Sequence, residues 1–173
     1  MRIITGDFKG RRLEMPVGND IRPTTEKVKE ALFSMIAGNL YEAVCVDLFS
    51  GTGNLGLEAL SRGAEKCYFG DNSRASVDLT KRNIAMCRAE ERSFVISGDF
   101  EKLLNHLALK GEKADVIFLD PPYKKGLYER CFELIQTLGI LSEEGIVVAE
   151  HNAKDVFPEE MQGLQKLKER SYG

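Results

Sequence analysis

The chain has 173 residues, of which 43% are hydrophobic and 29% charged, and its formal net charge is −3. This length and composition are typical of one globular domain, and the charge gives no overall sign of a nucleic-acid binder, although a basic patch can lie on an acidic body. No apolar stretch approaches the ~20 residues that a membrane-spanning helix needs, and the N-terminus lacks a signal-peptide pattern, so we expect a cytoplasmic protein.

The four cysteines are scattered along the chain, without a Cys-x-x-Cys pair or a nearby histidine cluster. They are Cys45, Cys67, Cys87 and Cys131. This pattern predicts buried, reduced thiols, and we expect no metal site.

Residues 1–20 are predicted to form a β-hairpin, because short apolar and basic arms flank the glycine-bounded turn Gly6–Gly10. The segment is locally basic and allows two interpretations. It is either an edge ribbon with a solvated charged face, which the residues alone slightly favour, or a ribbon that contacts nucleic-acid phosphate through Lys9, Arg11 and Arg12.

A helix is predicted to open at Arg22-Pro23-Thr24-Thr25 and to end at Gly38. Apolar residues recur along it with helical spacing, which predicts a stripe that packs on the core. The stripe consists of Val28, Ala31, Leu32, Met35 and Ile36.

From residue 43 onward, strand patterns alternate with helix patterns. The predicted strands are 43–49, 66–70, 93–97, 114–119 and 145–150, and the predicted helices are 55–62, 73–87, 100–109 and 127–138. This alternation predicts an α/β fold with a mostly parallel, Rossmann-like central sheet flanked by helices. After Pro158 the pattern predicts one helical turn over 158–161 and a last strand over 164–172.

A glycine motif, Gly51-Thr52-Gly53-Asn54-Leu55-Gly56, lies between the first of these strands and its helix, and Asp71 follows Gly51 by twenty residues. This context favours a nucleotide-type ligand over glycines that serve only the turn. Gly51 and Gly53 allow close approach of the backbone, and Asp71 is placed to accept hydrogen bonds from ribose hydroxyls.

The sign of charge near this loop separates two classes of ligand. A dinucleotide would bring a pyrophosphate to the helix N-terminus, close to the negative Asp47. S-adenosylmethionine carries an ammonium and a sulfonium, which Asp47 attracts, so the sequence favours that cofactor. Asp99 follows the third strand and is equally consistent with a contact to the adenine amino group and with a helix N-cap.

The segment Asp120-Pro121-Pro122-Tyr123 follows the apolar strand Val116–Leu119, and the two prolines force the chain out of the sheet there. Asp120 and a carbonyl near Pro121 are suited to accept the two N–H groups of a planar amine, and Tyr123 to stack on its ring. Beside a methyl donor, this arrangement predicts methyl transfer to an exocyclic amine. The simpler alternative is a turn with a capping aspartate.

The chain resembles the RsmD-type methyltransferases, which are class I enzymes that use S-adenosylmethionine to methylate the N2 amine of a guanine in small-subunit (16S) ribosomal RNA. The resemblance is carried by Met1–Ile4, Lys9–Leu13, Arg22–Thr25, Val28–Phe33, Asp47–Ala64, Phe118–Tyr123, Glu150-His151 and Glu169–Gly173. It implies that Arg22 and Thr24 help to close the cofactor site, which also contains Phe49 and Asn54. It further implies a substrate that is ribosomal RNA or an assembled small subunit, and we expect a monomer.

Two features depart from that family. Its members usually have a glutamate at the position of Asp71, and they continue past Tyr172-Gly173 with another strand. We therefore expect a single methyltransferase domain over 1–173, with a hairpin extension over 1–20 and a core over 43–173 in which the last strand is missing.

Three other functions compete with this one. A DNA adenine-N6 methyltransferase would use the same chemistry, but few residues follow Tyr123 to form a target-recognition region. A non-catalytic RNA-binding Rossmann-like domain is disfavoured by the intact Asp120–Tyr123 segment. A nicotinamide-dependent oxidoreductase is disfavoured by Asp47.

Overall fold

The computed structural model describes residues 1–17, 26–121, 126–151 and 157–171. The predictions for Arg22, Thr24, Pro122 and Tyr123 lie outside these residues. The helices are α1 (Glu26–Met35), α2 (Asn54–Ser61), α3 (Arg74–Met86), α4 (Phe100–Lys110) and α5 (Leu127–Thr137), with short 3-10 helices at Ala37–Asn39 and Glu90–Arg92. The strands are β1 (Val44–Asp47), β2 (Lys66–Asp71), β3 (Ser93–Ser97), β4 (Ala114–Leu119), β5 (Leu141–Ala149), β6 (Glu160–Met161) and β7 (Leu164–Gln165).

Five strands form one sheet in the order β3-β2-β1-β4-β5, and every neighbouring pair is parallel. The predicted Rossmann-like α/β architecture is thereby confirmed. The chain order reverses between β1 and β4, and in open parallel sheets ligands bind at the carboxyl ends of the strands beside such a reversal. Asp47 and Asp71 end β1 and β2, and Asp120 directly follows β4, so all three reach that edge.

The core lies on both faces of this sheet, because β1 and β4 are nearly fully buried and each strand alternates its side chains between the two faces. One cluster contains Cys45, Phe69 and Phe118 and packs under α2 and the N-terminal hairpin. The other contains Val46, Tyr68 and Ile117 and packs against α4 and α5. All four cysteines are free and buried, as predicted.

The N-terminal hairpin forms as predicted, with hydrogen bonds from the Ile3 amide to the Arg11 carbonyl (2.9 Å) and from the Gly10 amide to the Ile3 carbonyl (2.8 Å). One face is buried, because Ile3, Phe8 and Leu13 lie in the core cluster under α2, whereas the charged face with Arg2 and Arg12 is exposed, which is compatible with both interpretations. The hairpin is therefore an integral part of the fold, and only one of its faces is available to a partner.

The predicted stripe of α1 is rotated in the structure. Lys29 and Phe33 are the buried residues of the helix, whereas Leu32 and Met35 are half-buried at its flank. Ile36, directly after the helix, is buried as predicted. The prediction missed this rotation because it counted only apolar residues, and a charged side chain occupies the most buried position.

Two predictions near the C-terminus are wrong. Residues 160–161 form a strand instead of a helical turn, and the last described strand is limited to Leu164–Gln165. These two short strands pair antiparallel with each other and not with the central sheet. Gln162 and Gly163 both adopt positive φ (52° and 82°), the backbone of a tight two-residue hairpin turn, which excludes a helical turn ending there. Among the described residues, no helix is long and apolar enough to cross a membrane.

Candidate active site

The glycine loop connects β1 to α2 in a left-handed conformation that glycine adopts without strain. Gly51 has φ 56° and Gly53 has φ 85°, and Gly53 caps the start of α2. A Cβ atom on Gly51 would meet nothing within 4 Å, so the loop backbone borders open space. At Gly56, a Cβ atom would lie 2.3 Å from Cε1 of Phe69, so this glycine allows α2 to pack directly on β2.

Asp47 lies beneath this loop and is almost completely buried. Its carboxylate accepts a hydrogen bond from the Gly56 amide (3.0 Å). Burial raises the pKa of Asp47 to about 7, and the neighbouring negative charge of Asp71 adds to that rise. A cation bound at this edge would stabilise the ionised carboxylate.

Asp71 and Asp99 both bind backbone amides in this structure. The Asp71 carboxylate accepts from the amides of Gly51 (3.0 Å) and Ser73 (2.9 Å), which links the glycine loop to the end of β2. The Asp99 carboxylate accepts from the Lys102 amide (3.0 Å) and caps α4, which is the helix-cap alternative for this residue. A contact of Asp99 with adenine remains a prediction.

Phe49 and Asn54 flank the loop in the sequence. Phe49 is half-buried, with its ring tilted against Phe100 at 6.0 Å between centroids. Asn54 is the first residue of α2, and its side-chain oxygen accepts a hydrogen bond from the Lys29 ammonium (2.6 Å). The structure therefore gives Asn54 a role in holding the loop, and its contact with a cofactor remains a prediction.

Asp120 and Pro121 stand where the chain leaves β4. Asp120 is accessible at the rim of the site, yet protein groups surround most of its carboxyl. This desolvation raises the pKa of Asp120, and three further effects add to it: the negative charge of Glu150, a hydrogen bond to the Glu150 side chain and the charge of Asp47. Together they raise the pKa of Asp120 to about 8. The Glu150 amide donates to the Leu119 carbonyl (3.1 Å), which places Glu150 beside Asp120 on the neighbouring strand end.

The cations of the hairpin have different environments. The Arg11 guanidinium donates to the Cys87 carbonyl (2.6 Å) and lies 5.3 Å from the centroid of the Phe8 ring, so it anchors the hairpin to α3. Arg12 is exposed and lies opposite Arg2 across the hairpin, and both line an open cavity of about 350 Å³. Glu26 lines the same cavity, and its carboxylate accepts a hydrogen bond from the Arg2 guanidinium (3.2 Å). Lys9 is exposed at the turn.

A buried ionic cluster was missed by sequence reasoning. The Lys29 ammonium bonds the Glu58 carboxylate (2.9 Å), and neither side chain has any solvent exposure. Glu58 also accepts from Arg62 (2.8 Å) and from the backbone amides of Ile4 (2.9 Å) and Thr5 (3.2 Å). One feature of the sequence indicated that Glu58 is buried, namely that it is the only charged residue in the otherwise small or apolar stretch Leu55–Leu60.

A second missed pair lies on α3. Thr80 donates to the Gly51 carbonyl (2.9 Å), and Asn83 donates to the Thr52 carbonyl (2.8 Å), and both side chains are buried. They occupy the same face of α3 as the buried Val77, where the helical period calls for apolar residues. Polar residues at such positions signal that the helix contacts buried backbone groups.

These residues fit S-adenosylmethionine. Asp47 interacts electrostatically with both Asp71 and Asp120, so the edge of the sheet gathers three carboxyl groups beside an open glycine loop. A ligand that carries an ammonium and a sulfonium relieves the mutual repulsion of these groups, whereas a pyrophosphate increases it. Within the described ranges, no group of His, Cys, Asp and Glu side chains is arranged to hold a metal ion.

Comparison with known proteins places the chain in a family. The family model "Conserved hypothetical protein 95" matches residues 1–173. The chain is 38% identical over 173 residues to the Bacillus subtilis (strain 168) protein named "Putative rRNA methyltransferase YlbH", covering 100% of this chain and 94% of that protein. It is 35% identical over 158 residues to "Ribosomal RNA small subunit methyltransferase D" of Escherichia coli (strain K12), covering 91% and 78%.

Among solved structures, a protein described as "Putative methyltransferase yhhF from Escherichia coli" superposes with a TM-score of 0.80 at 35% identity, covering 91% of this chain and 84% of that one. The fold is thus that of class I S-adenosylmethionine-dependent methyltransferases. The chain belongs to the Conserved hypothetical protein 95 family of methyltransferases, in which its relatives include ribosomal RNA small subunit methyltransferase D.

Proposed function

We propose that this protein transfers a methyl group from S-adenosylmethionine to the exocyclic N2 amine of a guanine in small-subunit ribosomal RNA. The carrying observation is the convergence of Asp47, Asp71 and Asp120 at one edge of the sheet, in a chain of this methyltransferase family. A cationic methyl donor and an amine-holding carboxylate thereby share one cleft.

In this proposal the glycine loop and the strand ends hold the cofactor. Gly51 and Gly53 give close backbone approach, and Asp71 accepts hydrogen bonds from the ribose hydroxyls, exchanging its bonds with Gly51 and Ser73. Asp47 stabilises the cationic end of the ligand. From the sequence resemblance, Arg22, Thr24, Phe49 and Asn54 complete the site together with Asp99, which lies at the end of β3.

Asp120 and the carbonyl near Pro121 each accept one N–H of the target amine, which directs the nitrogen lone pair towards the methyl carbon. The bound cofactor supplies an electrophilic methyl group on a sulfonium. As the new nitrogen–carbon bond forms, the carbon–sulfur bond breaks and its electrons remain on sulfur. The methylated ammonium then loses one proton, and no strong base is needed. Tyr123 stacks on the base in this proposal, as its sequence position indicates.

The hairpin supplies the RNA contact. Arg12 and Arg2 are exposed on the same face and border one open cavity, where Arg2 already pairs with Glu26 (3.2 Å), so we assign the phosphate contact to Arg12. Lys9 adds charge at the turn, whereas Arg11 supports the hairpin from behind through the Cys87 carbonyl. We expect a single-domain monomer (1–173) that acts in the cytoplasm on an assembled or partly assembled small subunit.

The test offers labelled S-adenosylmethionine with three substrates: naked 16S ribosomal RNA, small subunits and DNA, followed by digestion and identification of the labelled nucleoside. We expect label in N2-methylguanosine, and more of it from subunits. Label in N6-methyladenine of DNA would establish the rival methyltransferase. Cofactor binding without transfer to any of the three would favour a non-catalytic RNA-binding domain.

Two variants test the assigned roles. Asp120→Ala should retain cofactor affinity and lose most methyl transfer, with the exposed Asp78→Ala on α3 as the matched control. Asp71→Ala should weaken cofactor binding in calorimetry, whereas Asp71→Glu should preserve it. Unchanged turnover of Asp120→Ala, or unchanged affinity of Asp71→Ala, would refute the corresponding role.

A further inference from the structure

Two buried polar side chains, Lys29 and Asn83, connect the N-terminal hairpin to the glycine loop from opposite sides. Lys29 lies on α1 and Asn83 on α3, and each is at most 1% exposed. Each contacts the backbone of one hairpin arm and a residue of the glycine loop. Neither belongs to the site that binds the cofactor or the target amine.

Asn83 uses both ends of its amide. Its oxygen accepts from the Glu14 amide (2.7 Å), and its nitrogen donates to the carbonyls of Glu14 (3.0 Å) and Thr52 (2.8 Å). The Asn83 side chain thus bonds both backbone groups of Glu14 in the second arm of the hairpin, as a neighbouring β-strand would. It also holds the glycine loop at Thr52. Thr80, one turn earlier, fixes the preceding residue through the Gly51 carbonyl (2.9 Å).

Lys29 makes the corresponding connection on the other side. Its ammonium reaches the Arg2 carbonyl (3.0 Å), the Asn54 side-chain oxygen (2.6 Å) and the Glu58 carboxylate (2.9 Å), so all three of its N–H bonds have acceptors. Burial lowers the pKa of Lys29, and the adjacent Glu58 opposes that shift. The pair also holds the first arm, because Glu58 accepts from the Ile4 and Thr5 amides.

The hydrogen bonds of Lys29 and Asn83 form only when donor and acceptor are correctly oriented, whereas apolar packing depends little on orientation. Replacing a buried ion pair by apolar residues of similar volume often leaves stability unchanged or raises it, so burial of Lys29 and Glu58 is not explained by stability alone. Hydrogen bonds from a rigid side chain fix the position of a loop with a precision that van der Waals contacts do not provide. The glycine loop needs this support, since its glycines make its backbone intrinsically permissive.

We propose that Asn83 and Lys29 are positioning residues that hold the glycine loop in its cofactor-binding conformation by fastening it to the docked hairpin. The inference rests on the proposed cofactor site at that loop. It makes the hairpin part of the cofactor-binding machinery as well as the proposed RNA contact.

The test compares Asn83→Leu with Ser61→Ala in the full chain. Ser61 is a matched control because it is equally buried and also fastens the hairpin, through the Phe8 amide (2.9 Å) and the Thr5 carbonyl (2.6 Å), but does not touch the glycine loop. We expect Asn83→Leu to raise the calorimetric Kd for S-adenosylmethionine by about tenfold or more, because it removes the buried hydrogen bonds to Glu14 and Thr52. Its KM for the cofactor should rise while kcat at saturating cofactor recovers, and Ser61→Ala should change the Kd by less than about twofold.

Amide hydrogen exchange across residues 50–54 provides the second readout, without any cofactor. Faster exchange of these amides in Asn83→Leu, together with unchanged exchange in Ser61→Ala, supports the inference. If Asn83→Leu does not fold, Asn83→Ser takes its place in the comparison. Equal exchange in the Asn83 and Ser61 variants, or equal loss of affinity, overturns it. If the wild-type chain itself binds no S-adenosylmethionine, the proposed function fails, and the exchange comparison still decides the role of Asn83.

Discussion

Asp120 and Glu150 lie side by side at the carboxyl ends of the neighbouring strands β4 and β5, with a hydrogen bond between their side chains. Desolvation raises the pKa of Asp120 most, and the negative charge of Glu150 raises it further. The proposed amine acceptor is therefore controlled by a neighbour on the next strand.

Glu150→Gln should move the acidic limb of the pH profile for kcat/KM to lower pH. In the wild type, desolvation and the charges of Glu150 and Asp47 raise the pKa of Asp120 to about 8, so the accepting carboxylate forms as the pH rises through that value. Removing the Glu150 charge lowers this pKa, and methyl transfer at pH 6.5 should increase relative to that at pH 8.5. An unshifted profile would show that the two carboxyls act independently.

Asp47→Asn should stabilise the ligand-free protein at alkaline pH while weakening cofactor binding. The pKa of Asp47 is raised from 3.8 to about 7 by burial, so between these values the folded state holds a proton that the unfolded state has released. This contribution to stability is fully present below about pH 4 and is lost as the pH rises through about 7. The gain in the free energy of unfolding at pH 8 should be about 2–4 kcal/mol, because one pKa unit corresponds to about 1.4 kcal/mol.

Thermal unfolding at pH 5 and pH 8 checks this prediction. The wild-type Tm should fall more steeply between the two values than that of Asp47→Asn, and the difference should shrink when S-adenosylmethionine is present. Parallel curves for the two proteins would contradict the assigned pKa.

Gly56→Ala should destabilise the fold by about 1–3 kcal/mol, the usual cost of overpacking a dense core. The new Cβ would lie 2.3 Å from Phe69 Cε1 and 2.7 Å from Cys67 Sγ, which pushes α2 away from β2. Gly38→Ala is the control, since a Cβ there meets nothing within 4 Å. Chemical denaturation measures both, and equal stability of the two variants would refute the close helix–strand contact.

Arg12→Glu should reduce methylation of ribosomal RNA at least about tenfold, because the substitution reverses the charge at an exposed position beside Arg2. Tm and cofactor affinity should not change, since the Arg12 side chain is exposed. Arg11→Met should instead lower stability by about 1–2 kcal/mol, since it loses the bond to the buried Cys87 carbonyl and the contact with Phe8. Salt dependence of RNA binding and thermal unfolding distinguish the two effects. The assignment fails if Arg12→Glu methylates normally.

The sequence alone was sufficient to predict the parallel sheet and the glycine loop. Strand and helix periodicity is local, and a continuous apolar segment such as Ala114–Leu119 is typical of a strand buried on both faces. The order of motifs along the chain placed Asp47, Asp71 and Asp120 at strand ends, and parallel pairing then brings the strand ends to one edge. These predictions depend on near neighbours in the chain.

Contacts between distant segments were decided only by the tertiary structure. Lys29 has the local appearance of a solvated helix residue, and the apolar surroundings of Glu58 in the sequence do not identify its partners. The burial of both arises because the hairpin, α1 and α2 meet at one point. The same holds for Asn83, whose partners at Glu14 and Thr52 lie 69 and 31 residues away. Charge at such positions is stable only where the partner groups converge, and that convergence is a property of packing and not of local pattern.

The sequence by itself thus determined the class of fold, the cofactor edge and the chemical types of the proposed site residues, because each depends on local periodicity and on the direction of parallel strands. The tertiary structure decided which basic residues face solvent, which carboxyl groups lie side by side and which buried polar groups fasten the hairpin to the glycine loop. Those outcomes depend on distances between segments far apart in the chain, and on the desolvation that arises when they pack together.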